Sequence, residues 1–328
     1  MRVNILTIGT RGDVQPYIAL GLGLKAAGHE ATIATLAEFK SLTQAFPSPF
    51  FPFRNLGPFN KLSHQLFAKM GPALYRRQIR EWRRDVLGLP PAKDENILHG
   101  KPVTELYAYS EAVLPRPADW DESSVATGYW FLDAPPGWQP QPSLVKFLQD
   151  GPLPVYVGFG SMFMNGGAKK TEIVLKALKL AGQRAVLATG WGGLTADNAP
   201  EGIYVLDAVP HDWLFPRVAA AVHHGGAGTT GAGLRAGKPM VICPFVGDQA
   251  FWGRRVAALG VGPSPIPQAK LTAERLAYAI KIAATDSDMR ERVAALGATI
   301  RAEDGVGRAV AHISNNISLW RKTKERDY

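Results

Sequence analysis

The residues best suited to chemistry form a glycine-rich segment that follows an apolar run and reads His223-His224-Gly225-Gly226-Ala227-Gly228-Thr229-Thr230. This pattern predicts a strand that ends in a tight turn and then starts a helix. Backbone amides at a helix N-terminus have no partners within the helix, and the helix dipole favours negative charge there. His224 and the hydroxyls of Thr229 and Thr230 would add hydrogen-bond donors. The segment therefore predicts a diphosphate site, and the plain alternative is a tight turn with a structural histidine.

The same segment allows a second interpretation, because Gly226 to Gly231 match the dinucleotide-binding pattern G-x-G-x-x-G. Asp248 also follows at roughly the distance expected of a ribose-binding acid. That fingerprint normally occupies the first strand-to-helix turn of its domain, whereas several strands precede it here. The two histidines before the first glycine are no part of it either. The sequence therefore favours the diphosphate site over a dehydrogenase.

Two further segments follow apolar strands and would meet the glycine-rich turn at one edge of a parallel sheet. Gly158-Phe159-Gly160-Ser161-Met162 offers small residues and a hydroxyl, and its plain alternative is a turn. Asp248-Gln249 offers a carboxylate beside an amide, a pair able to bind several sugar hydroxyls. For Asp248 the plain alternative is a helix N-cap.

Asp13 is the candidate general base, because it follows the first apolar strand directly, in Gly9-Thr10-Arg11-Gly12-Asp13. At that position its carboxylate would face a ligand at the strand ends. The alternative is an N-cap for a helix that Pro16 opens and Gly28 closes. His29 is predicted to be structural.

The order of predicted elements defines the fold class as α/β. Strand, glycine loop, helix and strand over residues 3–35 form a βαβ unit, and the alternation restarts after a proline-rich stretch that ends at Pro142. Residues 155–158, 185–189, 203–206, 219–222 and 240–243 are the predicted strands of this second part, with helices at 171–181 and 228–236. The sequence thus predicts two domains, with the boundary near residue 142.

Composition narrows the class of protein. The chain has 328 residues, 46% of them hydrophobic, which excludes a disordered protein. The single cysteine, Cys243, lies in an apolar strand pattern and indicates a reducing cytoplasm. Neither a signal peptide nor a membrane span is predicted, so a soluble protein is expected. The net charge of +9 suits an anionic partner, but the chain carries no motif typical of nucleic-acid binding.

Several motifs resemble those of the family-1 nucleotide-sugar glycosyltransferases, above all their sterol 3β-glucosyltransferase branch. The motifs that carry the resemblance are Gly9 to Pro16, Gly158 to Met162, Pro210-His211-Asp212-Trp213-Leu214-Phe215, His223 to Thr230, and Pro244-Phe245-Val246-Gly247-Asp248-Gln249. Tyr129 to Asp133 and Thr189 to Gly193 also look like that branch. The resemblance covers nearly the whole chain.

The resemblance implies a GT-B fold, with two Rossmann-like doubly wound domains that face a cleft. Residues 1–142 would bind the acceptor, residues 143–313 the donor, and a last helix at about 314–328 would pack back on the first domain. It implies inverting transfer without a metal or other cofactor, with UDP-glucose as co-substrate, a sterol-like hydrophobic alcohol as acceptor, and Asp13 as base. The implied donor-binding residues are Ser161, Val209, His224, Gly226, Gly228, Thr229, Asp248 and Gln249.

Two departures from the family pattern concern the nucleotide and the acceptor. Ala208-Val209-Pro210-His211 stands where many relatives carry a tryptophan that stacks on uracil, which leaves uridine and thymidine as alternatives. The first domain is reduced, because Glu38 to Leu42 runs almost directly into Thr43 to Pro47. A shallow acceptor cleft is therefore expected, lined by Asp13, Phe46, Phe50 and Phe51, with Phe53 as a further candidate. The alternative is a protein that binds nucleotide sugars without turnover.

A basic helix is predicted over Leu62 to Leu87, with apolar residues at spacings of three to five and arginines between them. Its plain interpretation is an amphipathic helix that packs on its own domain. The alternative is contact with an anionic membrane, where a lipid acceptor would be found. The expected location is the cytoplasm, with a peripheral contact to the membrane in the second case.

Overall fold

The computed structural model describes residues 2–7, 11–35, 77, 80–81, 84–85, 97–98, 101–102, 104–159, 167–188, 199–206 and 208–324. Ser161, Phe46, Phe50, Phe51 and most of the predicted basic helix lie outside these residues, and so does the placement of the Asp13 side chain.

The chain divides into two compact units. One comprises Met1–Phe46, Leu106–Trp120 and Ser124–Tyr328, and the other comprises Pro47–Glu105 and Asp121–Ser123. In the smaller unit, β3 (Ile97–Leu98) and β4 (Lys101–Pro102) form an antiparallel pair. The short strands β5 (Glu105–Tyr107) and β6 (Ser124–Ala126) form another two-stranded sheet.

The chain begins with the predicted βαβ unit. β1 (Arg2–Thr7) and β2 (Glu30–Thr35) pair in parallel, and α1 (Arg11–Ala26) connects them. The prediction that Pro16 opens the helix is wrong, because α1 begins at Arg11 and contains Pro16 in its second turn. Pro16 lies beyond the first four N–H groups, which have no acceptor within the helix, so its missing N–H removes one hydrogen bond, that to the carbonyl four residues earlier.

The larger unit contains a five-stranded parallel sheet in the order β11-β10-β7-β8-β9. These strands are β7 (Val155–Gly158), β8 (Ala185–Ala188), β9 (Ile203–Leu206), β10 (Ala221–His223) and β11 (Met240–Ile242). The helices of this part of the chain are α2 (Pro142–Gln149), α3 (Gly167–Ala181), α4 (His211–Leu214), α5 (Ala227–Arg235), α6 (Gln249–Ala258), α7 (Ala273–Thr285) and α8 (Ser287–Arg301).

Alternation along the strands builds a core on each face of this sheet. Val155 and Val157 pack with α3 and α7, whereas Tyr156 between them packs on the opposite face with α5, α6 and α8. Helices on both faces make this a doubly wound sheet, as the sequence predicted. Cys243 is fully buried, and burial raises the pKa of its thiol to about 12, as expected for an unreactive cysteine.

The proline-rich stretch before α2 is fastened to the doubly wound part of the chain. Arg235 of α5 forms a bidentate ion pair with Asp133, and its second contact measures 3.2 Å from Nη2 to Oδ2. The Ala134 N–H donates to Asp212 Oδ2 at 3.0 Å. These paired polar groups hold the proline-rich stretch against the doubly wound part of the chain.

The last helix, α9 (Gly305–Lys324), packs against α1. Leu20 and Leu24 of α1 share a small core with Ala309 and Val310 of α9. His29 Nε2 lies 3.0 Å from Ser314 Oγ, which gives His29 the structural role predicted for it. The N-terminal βαβ unit and the C-terminal helix thus pack around one shared hydrophobic core within the larger unit.

Candidate functional site

The topology of the sheet marks one edge for ligand binding. The chain runs outward through β7, β8 and β9 and then returns to the other side of β7 with β10 and β11. In such sheets the crevice at the carboxyl ends of the strands, where the winding reverses, is the usual binding site. His223 stands opposite Gly158 of β7 and opposite Ile242 of β11, so the three strands end level with one another.

The turn after β10 needs glycine at two successive positions. Gly225 has φ 94°, and a Cβ there would lie 2.6 Å from Ile242 Cγ2 and 3.0 Å from the backbone oxygen of Gln249. A Cβ on Gly226 would lie 2.6 Å from His224 Nε2. Any side chain at either position would displace the turn or the imidazole beside it.

This turn delivers the chain into α5, and no side chain caps the helix. Gly226 occupies the N-cap position and its carbonyl accepts the N–H of Thr230 at 2.9 Å. Gly228 is exposed and Thr229 is partly exposed, and their amides belong to the first helical turn. Such amides have no acceptor within the helix, so they can bind an anion.

His224 stands beside this helix start, and its Nδ1 is buried with no partner among the described residues. Burial lowers the pKa of His224, and the charge of Asp248 partly opposes that shift. A neutral imidazole offers one N–H donor and one acceptor. The structure thus brings together His224, Gly226, Gly228, Thr229, Asp248 and Gln249 of the predicted set.

Asp248 does not cap the helix that follows it, so that alternative is wrong. Its backbone is already helical, with φ −75° and ψ −8°, and its side chain makes no cap bond. An N-cap residue instead needs an extended backbone to fold its oxygen over the helix amides. Asp248 Oδ2 accepts the Trp252 indole N–H at 2.9 Å, and the residue remains exposed at the sheet edge.

Gln249 is buried and holds the preceding loop. Its Oε1 accepts the N–H of Phe245 at 2.8 Å and that of Val246 at 3.2 Å. The amide oxygen is therefore occupied by the protein, and the Nε2 group is the part of the side chain left for a ligand. The sequence indicated a sugar contact at Gln249, but it did not indicate that the same side chain holds the loop at Phe245 and Val246.

Replacing Gln249 separates these two tasks. Gln249→Ala should weaken the binding of a nucleotide sugar by roughly tenfold, because it removes the amide and releases the N–H groups of Phe245 and Val246. Gln249→Glu keeps the acceptor for both N–H groups and should retain the loop, but it loses the amide donor. Calorimetry with UDP and with UDP-glucose checks this, and an equal loss for both ligands would move Gln249 away from the sugar.

The other predicted residues fall into three groups. Val209 is partly buried and packs into the core beside α4. Thr230 is fully buried, so the prediction that its hydroxyl adds a donor is wrong, because helical periodicity turns it inward. Ser161, Phe46, Phe50 and Phe51 lie outside the described residues.

Asp13 belongs to the first turn of α1, two residues after its start at Arg11. The N-cap alternative for Asp13 is therefore wrong as well, since a residue inside the helix cannot cap it from outside. α1 contacts α5. The helix that carries the predicted base thus packs against the helix that begins at the glycine turn.

Sequence reasoning did not separate the two adjacent histidines. His223 is fully buried, and burial lowers its pKa well below 6.5, with smaller contributions from His224 and His211. His211 stacks on Phe215 with ring centroids 4.3 Å apart. Strand alternation was the available signal, because it sends neighbouring side chains to opposite sides of the sheet.

The buried histidines predict that stability depends on pH. Because the pKa of His223 in the folded chain lies below 6.5, the unfolded chain binds the proton first as the pH falls. Stability is therefore complete above about pH 6.5 and decreases below it, by up to about 1.4 kcal/mol per pH unit for this residue. Urea unfolding at about pH 7.5 and about pH 5.5 measures the loss, and His223→Asn should reduce it. An identical loss in the variant would contradict the assignment.

The described residues contain neither a metal-binding cluster nor a membrane-spanning helix. No group of three or more histidine, cysteine, aspartate or glutamate side chains among them could hold a metal ion. Of the helices in the described part of the chain, none is both long enough and apolar enough to cross a membrane.

Comparison with known protein families gives two matches along the chain. Residues 3–92 match the glycosyltransferase family 28 N-terminal domain. Residues 188–312 match the erythromycin biosynthesis protein CIII-like C-terminal domain. The second match contains the glycine turn, α5 and the Asp248-Gln249 pair.

Among similar proteins is a sterol 3-beta-glucosyltransferase of Arabidopsis thaliana, 31% identical over 434 positions that cover 99% of this chain and 70% of the relative. A sterol 3-beta-glucosyltransferase of Cryptococcus neoformans is 32% identical, and the match covers 97% of this chain but 27% of that protein. The alignment with the Arabidopsis protein is 106 positions longer than the 328 residues of this chain. At least that many residues of the relative have no counterpart here.

Solved structures of similar fold are also glycosyltransferases. The kitacinnamycin glycotransferase has a TM-score of 0.66 at 20% identity, with 96% of this chain and 98% of that chain covered. The spinosyn forosaminyltransferase has a TM-score of 0.65 at 15% identity, with 97% and 99% covered. At this level of identity the likeness establishes the fold, which is the GT-B arrangement predicted from the sequence.

Proposed function

The chain belongs to the family of GT-B glycosyltransferases that includes the sterol 3-beta-glucosyltransferases, and we propose that it transfers glucose from UDP-glucose to a sterol or a similar hydrophobic alcohol. It spans 70% of the length of the Arabidopsis relative and 27% of the Cryptococcus relative. In this proposal residues 143–313 bind the donor and residues 1–142 bind the acceptor.

The observation that carries the proposal is the uncapped start of α5 at the reversal point of the sheet. Gly228 and Thr229 offer backbone amides there, and His224 stands beside them. These groups suit a diphosphate, because they combine amide donors with the positive end of the helix dipole. Asp248 and the Gln249 amide lie next to the turn and suit sugar hydroxyls.

The reaction in this proposal is a direct displacement with inversion. Asp13 accepts the proton of the acceptor hydroxyl as that oxygen forms a bond to the anomeric carbon. The bond from this carbon to the diphosphate oxygen breaks, and its electron pair leaves with the UDP. Attack occurs on the face opposite the nucleotide, so an α-linked donor gives a β-glucoside.

The leaving diphosphate gains negative charge as that bond breaks. The start of α5 and an N–H of His224 are fixed in advance where the charge develops, and Ser161 is the further donor implied by the family resemblance. Pre-organised donors of this kind stabilise a transition state without moving. The proposed reaction needs no metal or other cofactor. The nucleobase would lie near Val209, next to α4.

Transfer itself is tested by incubating the protein with labelled UDP-glucose and a panel of sterols and polyphenols. The proposal requires labelled glucoside from at least one sterol, with a β anomeric configuration in the isolated product. Parallel reactions with labelled dTDP-glucose test the choice of nucleotide. Donor binding without any product would instead support a nucleotide-sugar-binding protein without turnover.

We further propose that the basic helix contacts an anionic membrane. Of its predicted span, residues 77, 80–81 and 84–85 are described and are helical. Arg77 and Arg80 are exposed, and Arg77 Nε lies 2.9 Å from Glu81 Oε1. An arginine-rich helix face is attracted to anionic lipid head groups.

The membrane proposal predicts binding to anionic vesicles but not to neutral ones, with the bound fraction falling as salt rises. Changing Arg76, Arg77 and Arg80 to glutamate should abolish this binding. The matched control changes Lys281, Arg290 and Arg308 to glutamate, because these exposed residues lie on α7, α8 and α9. Vesicle sedimentation measures both variants, and equal losses would attribute the binding to net charge alone.

A further inference from the structure

We propose that His223 is a positioning residue for the donor site, which holds the Gly225 amide and thereby fixes the turn that presents the start of α5. This inference rests on the proposed function, since it assigns a task to a residue behind the proposed diphosphate site. His223 is fully buried, so it acts through the turn and not by touching a ligand.

The tautomer of His223 follows from its hydrogen bond. The Gly225 N–H donates to His223 Nδ1 at 3.1 Å. A backbone N–H can only donate, so Nδ1 is the acceptor and the ring proton lies on Nε2. That Nε2 is buried and has no partner among the described residues. A buried polar atom without a partner lowers the stability of the fold. The hydrogen bond at Nδ1 is therefore the contact that favours a histidine at this position.

The hydrogen bond from the Gly225 amide to His223 fixes the whole turn, because the neighbouring atoms leave the two glycines little room to move. Gly225 occupies the left-handed region with φ 94°, close to Ile242 and to the backbone oxygen of Gln249. One residue later, Gly226 leaves room for the His224 ring and occupies the N-cap position of α5 without capping it. Fixing the Gly225 amide therefore fixes the direction in which the chain enters α5 and the place of His224.

Neutral His223 is needed for this role, because a proton on Nδ1 would remove the acceptor. Two other imidazoles are close enough to oppose a positive charge on the ring, His224 from the turn and His211 from α4. The His223 and His224 rings lie 6.1 Å apart and nearly perpendicular, at 84°. Burial is the main cause that lowers the pKa of His223, and the two imidazoles add to it, so the acceptor is present throughout the neutral pH range.

The test compares three replacements that differ in where they place an acceptor. Asparagine puts its Oδ1 near the position of the imidazole Nδ1, glutamine puts its oxygen near that of Nε2, and leucine has no acceptor. His223→Asn should bind UDP within about threefold of the wild type, whereas His223→Leu and His223→Gln should each bind it roughly tenfold or more weakly. Calorimetry measures UDP affinity, and thermal unfolding verifies that each variant is folded.

A readout without ligand separates this inference from the proposed function. Hydrogen exchange of the Gly225 amide should become faster in His223→Leu and stay slow in His223→Asn, whether or not UDP binds. Wild-type UDP affinity in folded His223→Leu would overturn the inference, and so would equal losses in the asparagine and leucine variants. A wild-type protein that binds no UDP would overturn the proposed function, while the exchange rates still decide whether His223 holds the turn.

Discussion

Asp13→Asn should lower turnover by roughly 100-fold or more and leave the affinity for UDP-glucose unchanged. Asparagine keeps the shape of the side chain but cannot accept the proton of the acceptor hydroxyl. Asp13 lies in the first turn of α1, and α1 contacts α5, which begins at the proposed diphosphate site. Single-turnover rates with saturating donor measure the effect on the chemical step.

The matched control is Glu30→Gln, which makes the same change of charge at an exposed position at the start of β2. It should leave turnover at the wild-type value. Wild-type turnover in Asp13→Asn would remove Asp13 from the reaction and leave it as an acidic residue in a first helical turn, favourable there for the helix dipole alone.

Gly225→Ala should destabilise the protein by roughly 2 to 4 kcal/mol and weaken UDP binding by at least about tenfold. Alanine is disfavoured at φ 94°, and its Cβ would also press on Ile242 and on the backbone of Gln249. The turn would have to move, and the start of α5 would move with it. Urea unfolding and calorimetry measure the two effects.

Gly182→Ala separates conformational strain from contact. Gly182 has φ 63° in the turn before β8, and a Cβ there would meet nothing within 4 Å. This control should cost about 1 kcal/mol, the strain of a left-handed alanine alone, and leave UDP affinity unchanged. If both substitutions lowered the free energy of unfolding equally, the close approach of Gly225 to Ile242 and Gln249 would add nothing to the cost of a side chain there.

The positions of the five strands and the glycine turn after β10 could be predicted from the sequence because their signals are local. An apolar strand pattern that ends in glycines and is followed by a helix pattern fits few alternative structures. The segment from Ala221 to Arg235 is an example. Some errors concern where α1 and α6 begin, and the others concern partners distant in sequence or side-chain direction. The pairing of Asp133 with Arg235 and the inward turn of Thr230 leave no signal in composition.

The reduced first domain leads to a prediction about how the protein binds its acceptor. In its described part the N-terminal sheet consists of β1 and β2, and the Arabidopsis relative has at least 106 positions without a counterpart in this chain. Phe46, Phe50 and Phe51 lie outside the described residues. A shallow cleft would bind many acceptors weakly, so a single acceptor with micromolar affinity would contradict this prediction.

Amide NMR shifts on titration with UDP and with uridine test the central claim most directly, since they report whether a diphosphate binds at the start of α5. UDP should shift the amides of Gly226, Gly228 and Thr229 strongly, because its phosphates would accept their N–H groups. Uridine, which lacks the phosphates, should leave these three amides nearly unchanged. UDP binding that leaves all three unshifted would contradict the assignment of the diphosphate to this turn.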